Sequence, residues 1–218
     1  MSELDLAQRV LQRVLAASPR ADAEVSVDRS SAALTRFANS VIHQNVAEDV
    51  LRFSVRVHVD GRTASGGSTI TGDEGIANLA ERTLAAAAVA PLDAAWPGVA
   101  PPEPLGPVAP LDPATRDASP DDRAARVRAF VDAAGGLETA GYCRTQHWRG
   151  GFANSAGQAL AAERADVGLA GIARRDGSDG SARRASGRLA DIDGAELGAR
   201  AAAKANAAID PIELPPDR

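Results

Sequence analysis

Three histidines and one cysteine are the side chains in this sequence best suited to chemistry near neutral pH. His43, His58 and His147 stand far apart. None belongs to an HExxH or HExxxH pattern, in which one helical turn brings two imidazoles to the same metal ion. His58 falls on the polar side of an alternating segment, as a strand residue facing solvent or a groove. Cys143 and His147 would be adjacent only on a helix. On the strand their neighbours predict, they lie about 13 Å apart at ~3.3 Å per residue, beyond the hydrogen-bond reach that a nucleophile and its base require. Arg174, Arg175, Arg183, Arg184 and Arg188 could meet phosphate. Asp166, Asp176 and Asp179 are interleaved with them and no aromatic residue lies nearby to stack a base, so the segment reads as a solvated hairpin. Gly66-Gly67 and Gly150-Gly151 fit neither a Walker loop nor a dinucleotide-binding turn and read as turns or bulges, and no serine sits in a GxSxG elbow.

The composition narrows the class further. The chain has 218 residues, 44% hydrophobic and 24% charged, with a net charge of −5. It lacks the overall basic field that drives phosphate-backbone binding. Aromatic residues make up only 3%, so the core must be built from Ala, Val, Leu and Ile. A lone cysteine cannot form an internal disulfide, which fits a reducing compartment. Met-Ser-Glu-Leu-Asp-Leu has no basic region leading into an apolar run, and no stretch approaches the ~20 apolar residues of a membrane span. The expected location is the cytoplasm.

The elements that must position these residues follow from periodicity and punctuation. Leu4, Ala7, Val10, Leu11, Val14 and Leu15 fall on one helical face, with Ser2 as N-cap and Ser18-Pro19 as the stop. Ala23, Val25 and Val27 alternate with polar residues. Residues 33–46 read as two short strands broken near Asn39-Ser40. Residues 50–59 form the clearest strand, with Arg52, Ser54, Arg56 and His58 on its polar face. Asp60-Gly61 supplies a tight hairpin into a return strand over 62–70. Thr71 and Glu74 have capping-box spacing for a helix that ends at Pro91. Most of the 13 prolines lie between Pro91 and Pro120, which predicts an extended, stiff connection. Ser119-Pro120-Asp121-Asp122 starts another helix, stopped by Gly135-Gly136. Strand-like segments follow over 137–148, 152–162, 165–175 and 181–189, with turns at Arg149-Gly150-Gly151 and 176–180. A last helix starts near Asp193 and runs to about Ala208. The expected architecture is α+β: two small domains with mainly antiparallel sheets flanked by helices. They would span 1–91 and 119–210, joined by a Pro-rich linker over 92–118, with 211–218 opening a further linker.

One segment is more specific than the rest. Thr35-Arg-Phe-Ala-Asn-Ser-Val-Ile-His-Gln-Asn45 precedes a long alternating strand with Arg56, then Asp60-Gly61-Arg62 and a Gly/Ser-rich return. This resembles the N-terminal domain of the TldD/PmbA family, also called modulators of DNA gyrase. Phe152-Ala-Asn-Ser-Ala-Gly157 looks like the Asn-Ser-x-Gly hairpin of that family's middle domain, and the closing Pro-Ile-Glu-Leu-Pro-Pro also fits. The resemblance covers essentially all of residues 2–218.

The resemblance implies a further large, β-rich C-terminal domain. In the TldD branch that domain holds an HExxxH zinc motif and a later cysteine ligand. The PmbA (TldE) branch lacks the motif and pairs with TldD. The pair encloses a channel that admits unfolded peptides and cleaves them. Family roles include maturing a ribosomally made peptide antibiotic and degrading an antitoxin. The Arg-Phe-Ala-Asn wording leans toward the PmbA-like branch. This sequence stops at Arg218, before the zinc domain, so no catalytic or metal-ligating residue is carried over to it. The expectation is a fragment, a split gene product or a shortened partner, with no cofactor of its own and zinc only in a TldD-type C-terminal domain or partner subunit. The implied partners are a TldD/PmbA-type subunit, in a hetero- or homodimer, and unfolded peptide. Arg36, Asn39, Arg56 and Asn154 are the expected channel-lining residues. Two alternatives stay open: a self-sufficient thiol-dependent hydrolase using Cys143, and a non-enzymatic adaptor or DNA-associated protein, against which the acidic balance argues.

Overall fold

A computed structural model of the chain describes residues 1–207. The first helix, α1 (Glu3–Ala17), begins on Ser2, whose hydroxyl accepts from the Asp5 N–H while the Asp5 carboxylate accepts from the Ser2 N–H. Three strands follow: β1 (Asp22–Ala38), β2 (Val41–Val59) and β3 (Arg62–Ser68). Both connecting hairpins turn through left-handed backbone, Asn39 and Ser40 at φ 48° and 61°, Asp60 and Gly61 at φ 49° and 75°. Helix α2 (Asp73–Val89) starts on Gly72 with no side-chain cap, so the expected Thr71–Glu74 capping box does not form. A one-turn helix, α3 (Pro113–Arg116), and α4 (Pro120–Ala133) follow, the latter capped reciprocally by Ser119 and Asp122 as expected. Strands β4 (Glu138–Asn154), β5 (Ala159–Arg175) and β6 (Ser178–Ser186) precede a short 3-10 turn over Leu189–Asp191 and α5 (Gly194–Ala207). The expected continuation over 211–218 lies outside the described residues.

The strands are antiparallel in the order β3-β2-β1-β4-β5-β6, so the α+β class is as expected, with one six-stranded sheet instead of two. The chain forms two compact units, but they do not follow the expected sequential split. One takes Met1–Ser31, Asp49–Pro110 and Trp148–Glu163; the other takes Ala32–Glu48, Leu111–His147 and the chain from Arg164. Strands of 17 to 19 residues make this possible, because β1, β2, β4 and β5 each contribute to both units.

In the first unit, α1 and α2 cover one sheet face. Leu6, Val10 and Val14 of α1 and Ile76 and Leu79 of α2 meet Val25, Val27, Phe53, Val55 and Val57. Arg149-Gly150-Gly151 is not a turn: it lies inside β4. A side chain at Gly151 would run into the backbone of Glu3 and Leu4, and one at Gly150 into the ring of Trp148. Glycine here marks close approach. The turn comes later, at Asn154–Gln158, so three long strands replace the four expected segments.

The second unit places α4 and α5 over Phe37, Cys143, Val167, Leu169 and Ala182. Phe37 and Phe130 meet with ring centroids 5.5 Å apart. Arg123 is 3% exposed and donates to the Thr35 hydroxyl (3.3 Å), the Thr145 hydroxyl (3.1 Å) and the Ala118 carbonyl (3.0 Å). The outer edge of β6 is closed by α5, from which Arg200 donates to the Arg183 carbonyl and Lys204 to that of Ser181.

Much of the proline-rich stretch is docked. Asp93 N–H donates to the Gly61 carbonyl, Leu92 bridges to Arg62, and Gln158 exchanges hydrogen bonds with the Glu103 backbone. Asp112 caps α3 and also accepts from the Leu189 N–H.

Candidate functional site

Strict alternation in β1 and β2 sends the apolar residues of the first unit toward the helices and the polar ones to the opposite face. That face carries Glu24, Ser26, Asp28, Arg52, Ser54 and Arg56. The β2–β3 register sets Ser54 beside Gly67, Arg56 beside Ser65 and His58 beside Thr63. A groove of ≈ 390 Å³ lies on it, lined by Glu24, Ser26, Arg52, Ser54, Arg56 and Phe152, among others.

Aromatic residues are few, and their distribution is informative. Phe37, Phe53 and Phe130 are core residues. Trp96, Trp148 and Phe152 belong to the polar face of the first unit. Trp96 stacks on His58, donates through its indole N–H to Asp22 at 3.0 Å, and has the Arg56 guanidinium 4.9 Å from its ring centroid. Trp148 donates to Asp28 at 3.1 Å. Arg56 also holds Glu24, with Nε 2.8 Å from Oε2 and Nη2 bonded to the same oxygen. Sequence reading placed Arg52 and Arg56 on the polar face but missed the parts that Glu24, Trp96, Trp148 and Phe152 play there. Scarcity was the available signal, because a chain with two tryptophans has placed one among its prolines.

The four expected channel-lining residues have different surroundings. Arg56 is exposed on the face just described. Arg36 and Asn39 belong to the second unit and are exposed, Arg36 reaching Gln44 at 3.5 Å and Asn39 occupying the β1–β2 turn. Asn154, in the first unit, is 2% exposed. Its Oδ1 accepts from the Ala156 and Gln158 N–H groups and its Nδ2 donates to the Ala100 carbonyl. Asn154 therefore builds the β4–β5 turn through its Oδ1 and ties it to Ala100 through its Nδ2.

Cys143 is fully buried in the second unit, and burial pushes its thiol up to about 11 despite the opposing pull of Arg126 and Arg123. His43 is exposed, while His147 is half-buried and engaged with neighbours. Among the described residues no three His, Cys, Asp or Glu side chains come together as a metal site. In the arginine-rich hairpin Arg174 holds Asp179 through two contacts of 2.8 Å, while Arg175 reaches Asn206 of α5 and Arg184 lies 3.6 Å from Glu196 of α5. A second concavity, of ≈ 670 Å³, lies in the second unit beside Tyr142, Ile172, Arg183, Arg200 and Lys204. Its two α5 cations are those that close the β6 edge.

Residues 23–87 match the model of the PmbA/TldA metallopeptidase domain 1. No curated protein matches the sequence. Three solved structures share the fold. A candidate modulator of a DNA gyrase from Thermotoga maritima MSB8 has a TM-score of 0.79 at 15% identity, covering 95% of this chain and 50% of its own. TldE from Thermococcus kodakarensis has 0.78 at 16%, covering 92% and 47%. A candidate modulator of DNA gyrase from Bacteroides thetaiotaomicron VPI-5482 has 0.80 at 16%, covering 93% and 49%. The chain spans about half the length of these structures. At such identities they speak for the fold alone, and residues 23–87 are similar to the first domain of the PmbA/TldA metallopeptidases.

Proposed function

We propose that this chain is the non-catalytic, peptide-contacting portion of a PmbA/TldD-type metallopeptidase assembly, either of the peptidase itself or of a metal-free PmbA-like subunit. The polar, partly aromatic sheet face of the first unit carries this reading. It sets charged groups, hydroxyls and ring faces along a groove, which suits unfolded peptide with little demand on its sequence. Arg56 there, and Arg36 and Asn39 on the exposed hairpin of the second unit, are the proposed peptide contacts.

The donor set among the described residues does not fit a zinc site, so no hydrolytic step is assigned to this chain. In this reading zinc belongs to a TldD-type domain or partner subunit, and the assembly is a hetero- or homodimer. Among the described residues no helix is long and apolar enough to cross a membrane; the proposed setting is the cytoplasm. A thiol hydrolase built on Cys143 is disfavoured by complete burial and a raised thiol pKa. A DNA adaptor is disfavoured by the net charge of −5 and by the paired arginines of the β5–β6 hairpin.

The test uses the purified chain on labelled unfolded peptides, with and without zinc, alone and beside a TldD-type subunit. Binding without turnover alone, and turnover with the subunit, is the expected result. Turnover by the lone chain, or no affinity for any unfolded peptide, overturns the proposal.

A further inference from the structure

We propose that the groove on the polar face of the first unit is a carboxylate-binding subsite for an extended peptide, with Arg52 as the receiving cation. This rests on the reading of that face as peptide-contacting and adds the chemical class it selects.

Three observations converge on it. Shape comes first. Ser26, Ser54 and Gly67 give the groove small side chains on three neighbouring strands, while Phe152 adds an aromatic surface. Such a trough admits a backbone and leaves room for one longer side chain.

Occupancy of the cations comes second. Arg52 and Arg56 point to the same face of β2 and both line the groove, four residues apart and so roughly 13 Å between Cα atoms. Arg56 is engaged, with Glu24 on its Nε and Nη2 and Trp96 against its plane. Arg52 is exposed and, among the described residues, has no carboxylate, hydroxyl or carbonyl partner. The side-chain hydroxyls of Ser26 and Ser54, which line the groove with it, also have no partner among the described residues. Arg56 thus shows in place the interaction that Arg52 has available.

Local charge is the third. Arg52, Arg56 and Glu24 leave this groove net positive in a chain of net charge −5. A planar guanidinium takes a carboxylate through two parallel N–H···O bonds, and serine hydroxyls can donate to its remaining lone pairs. Phe152 would cover the methylenes that carry it. With a single free cation, the groove suits a monoanion on a partly apolar stem. A peptide offers that group from an acidic side chain or from its C terminus.

The experiment measures fluorescence anisotropy of the full chain with four labelled octapeptides of one Gly/Ser/Ala-rich sequence. Each has Glu or Gln at the centre and a free or amidated C terminus. Peptides with a carboxylate at the preferred place should bind about fivefold or more tighter than the Gln amide, with the gap narrowing in added salt. The comparison of side-chain and terminal arms identifies the source. Arg52→Gln, an exposed substitution, should erase the gap and leave the affinity for the Gln amide unchanged, while Arg52→Lys should keep part of it. Equal affinity for all four peptides, or a gap that survives in Arg52→Gln, overturns the subsite and leaves the peptide-contacting face standing. No binding by any of the four overturns both.

Discussion

The indole of Trp96 lies flat on the imidazole of His58, ring centroids 4.8 Å apart and planes within 4° of parallel. The pair fastens the proline-rich stretch to the sheet within the first unit. Around it, the Thr63 hydroxyl donates to Asp93 at 2.5 Å and so is left to accept from His58 Nδ1, 2.9 Å away. Nδ1 of His58 is therefore the donor in that bond. Arg62 also donates to the Ala90 carbonyl. A segment that composition alone presents as a free spacer is held by stacking, a cation–π contact and a hydrogen-bond relay.

Trp96→Ala should therefore release residues 92–103 from the sheet. The stack, the Arg56 contact and the bond to Asp22 together predict a loss of about 1–3 kcal/mol. The measurement is thermal unfolding with limited proteolysis. Cleavage should move into residues 92–103 at temperatures where the parent chain resists. An unchanged melting temperature and cleavage pattern would show that the strap is held elsewhere.

Cys143 should behave as an inert core residue. With its thiol raised to about 11 by burial, the thiolate at pH 8 is on the order of one part in a thousand. Reaction with an aromatic disulfide reagent should be very slow in native buffer and should reach one thiol per chain in denaturant. Fast native labelling would reopen the thiol-hydrolase reading.

Acid should act through a defined group of carboxylates. Asp49 is held below the ordinary range mainly by the Ser31 hydroxyl and then by Arg29, Asp112 by the Thr115 hydroxyl and the Leu189 N–H, and Asp122 by Ser119. A carboxyl whose folded pKa is depressed contributes stability that is fully present above its unfolded value, near 3.8, and is lost as pH falls through the folded value. The melting temperature should be nearly flat between about pH 7 and 5 and fall below about pH 4. Asp122→Asn should lower the plateau and make the acid limb shallower. A decline that begins well above pH 5 would place the acid-sensitive groups elsewhere.

How much of this was legible in the sequence depended on whether a feature is local. The Ser2 and Ser119 caps, the Asn39-Ser40 and Asp60-Gly61 turns and the polar face of β2 are set by a few adjacent residues, and the structure has them where periodicity puts them. The Thr71–Glu74 box failed because its spacing was right while the helix starts later, on Gly72. Three features needed partners distant in sequence. Trp96 reaches the sheet through Asp22 and His58, Asn154 spends its amide on Ala100, and Gly151 is small because α1 lies against it. None of those partners is visible within a local window. The same limit explains the two interleaved units, which arise from the pairing of long strands rather than from the proline-rich boundary.

Gly151 gives the sharpest test of that non-local packing. A Cβ there would meet the Glu3 carbonyl and the Leu4 nitrogen, which are backbone atoms and cannot rotate aside. Relief requires the first turn of α1 to shift. That turn is tied down, because the Glu3 carboxylate receives Arg29 at 3.2 Å and Arg149 at 3.3 Å, and the helix beyond it buries Leu6, Val10 and Val14. Gly151→Ala should cost about 1–3 kcal/mol in urea unfolding, the range for overfilling a well-packed site. Gly150→Ala is the control, since its obstacle is the outer edge of the Trp148 ring, a side chain that can swing. It should cost less and should alter Trp148 fluorescence, which Gly151→Ala should leave closer to that of the parent chain. If the two substitutions cost the same, α1 does not rest on β4 as closely as the structure places it.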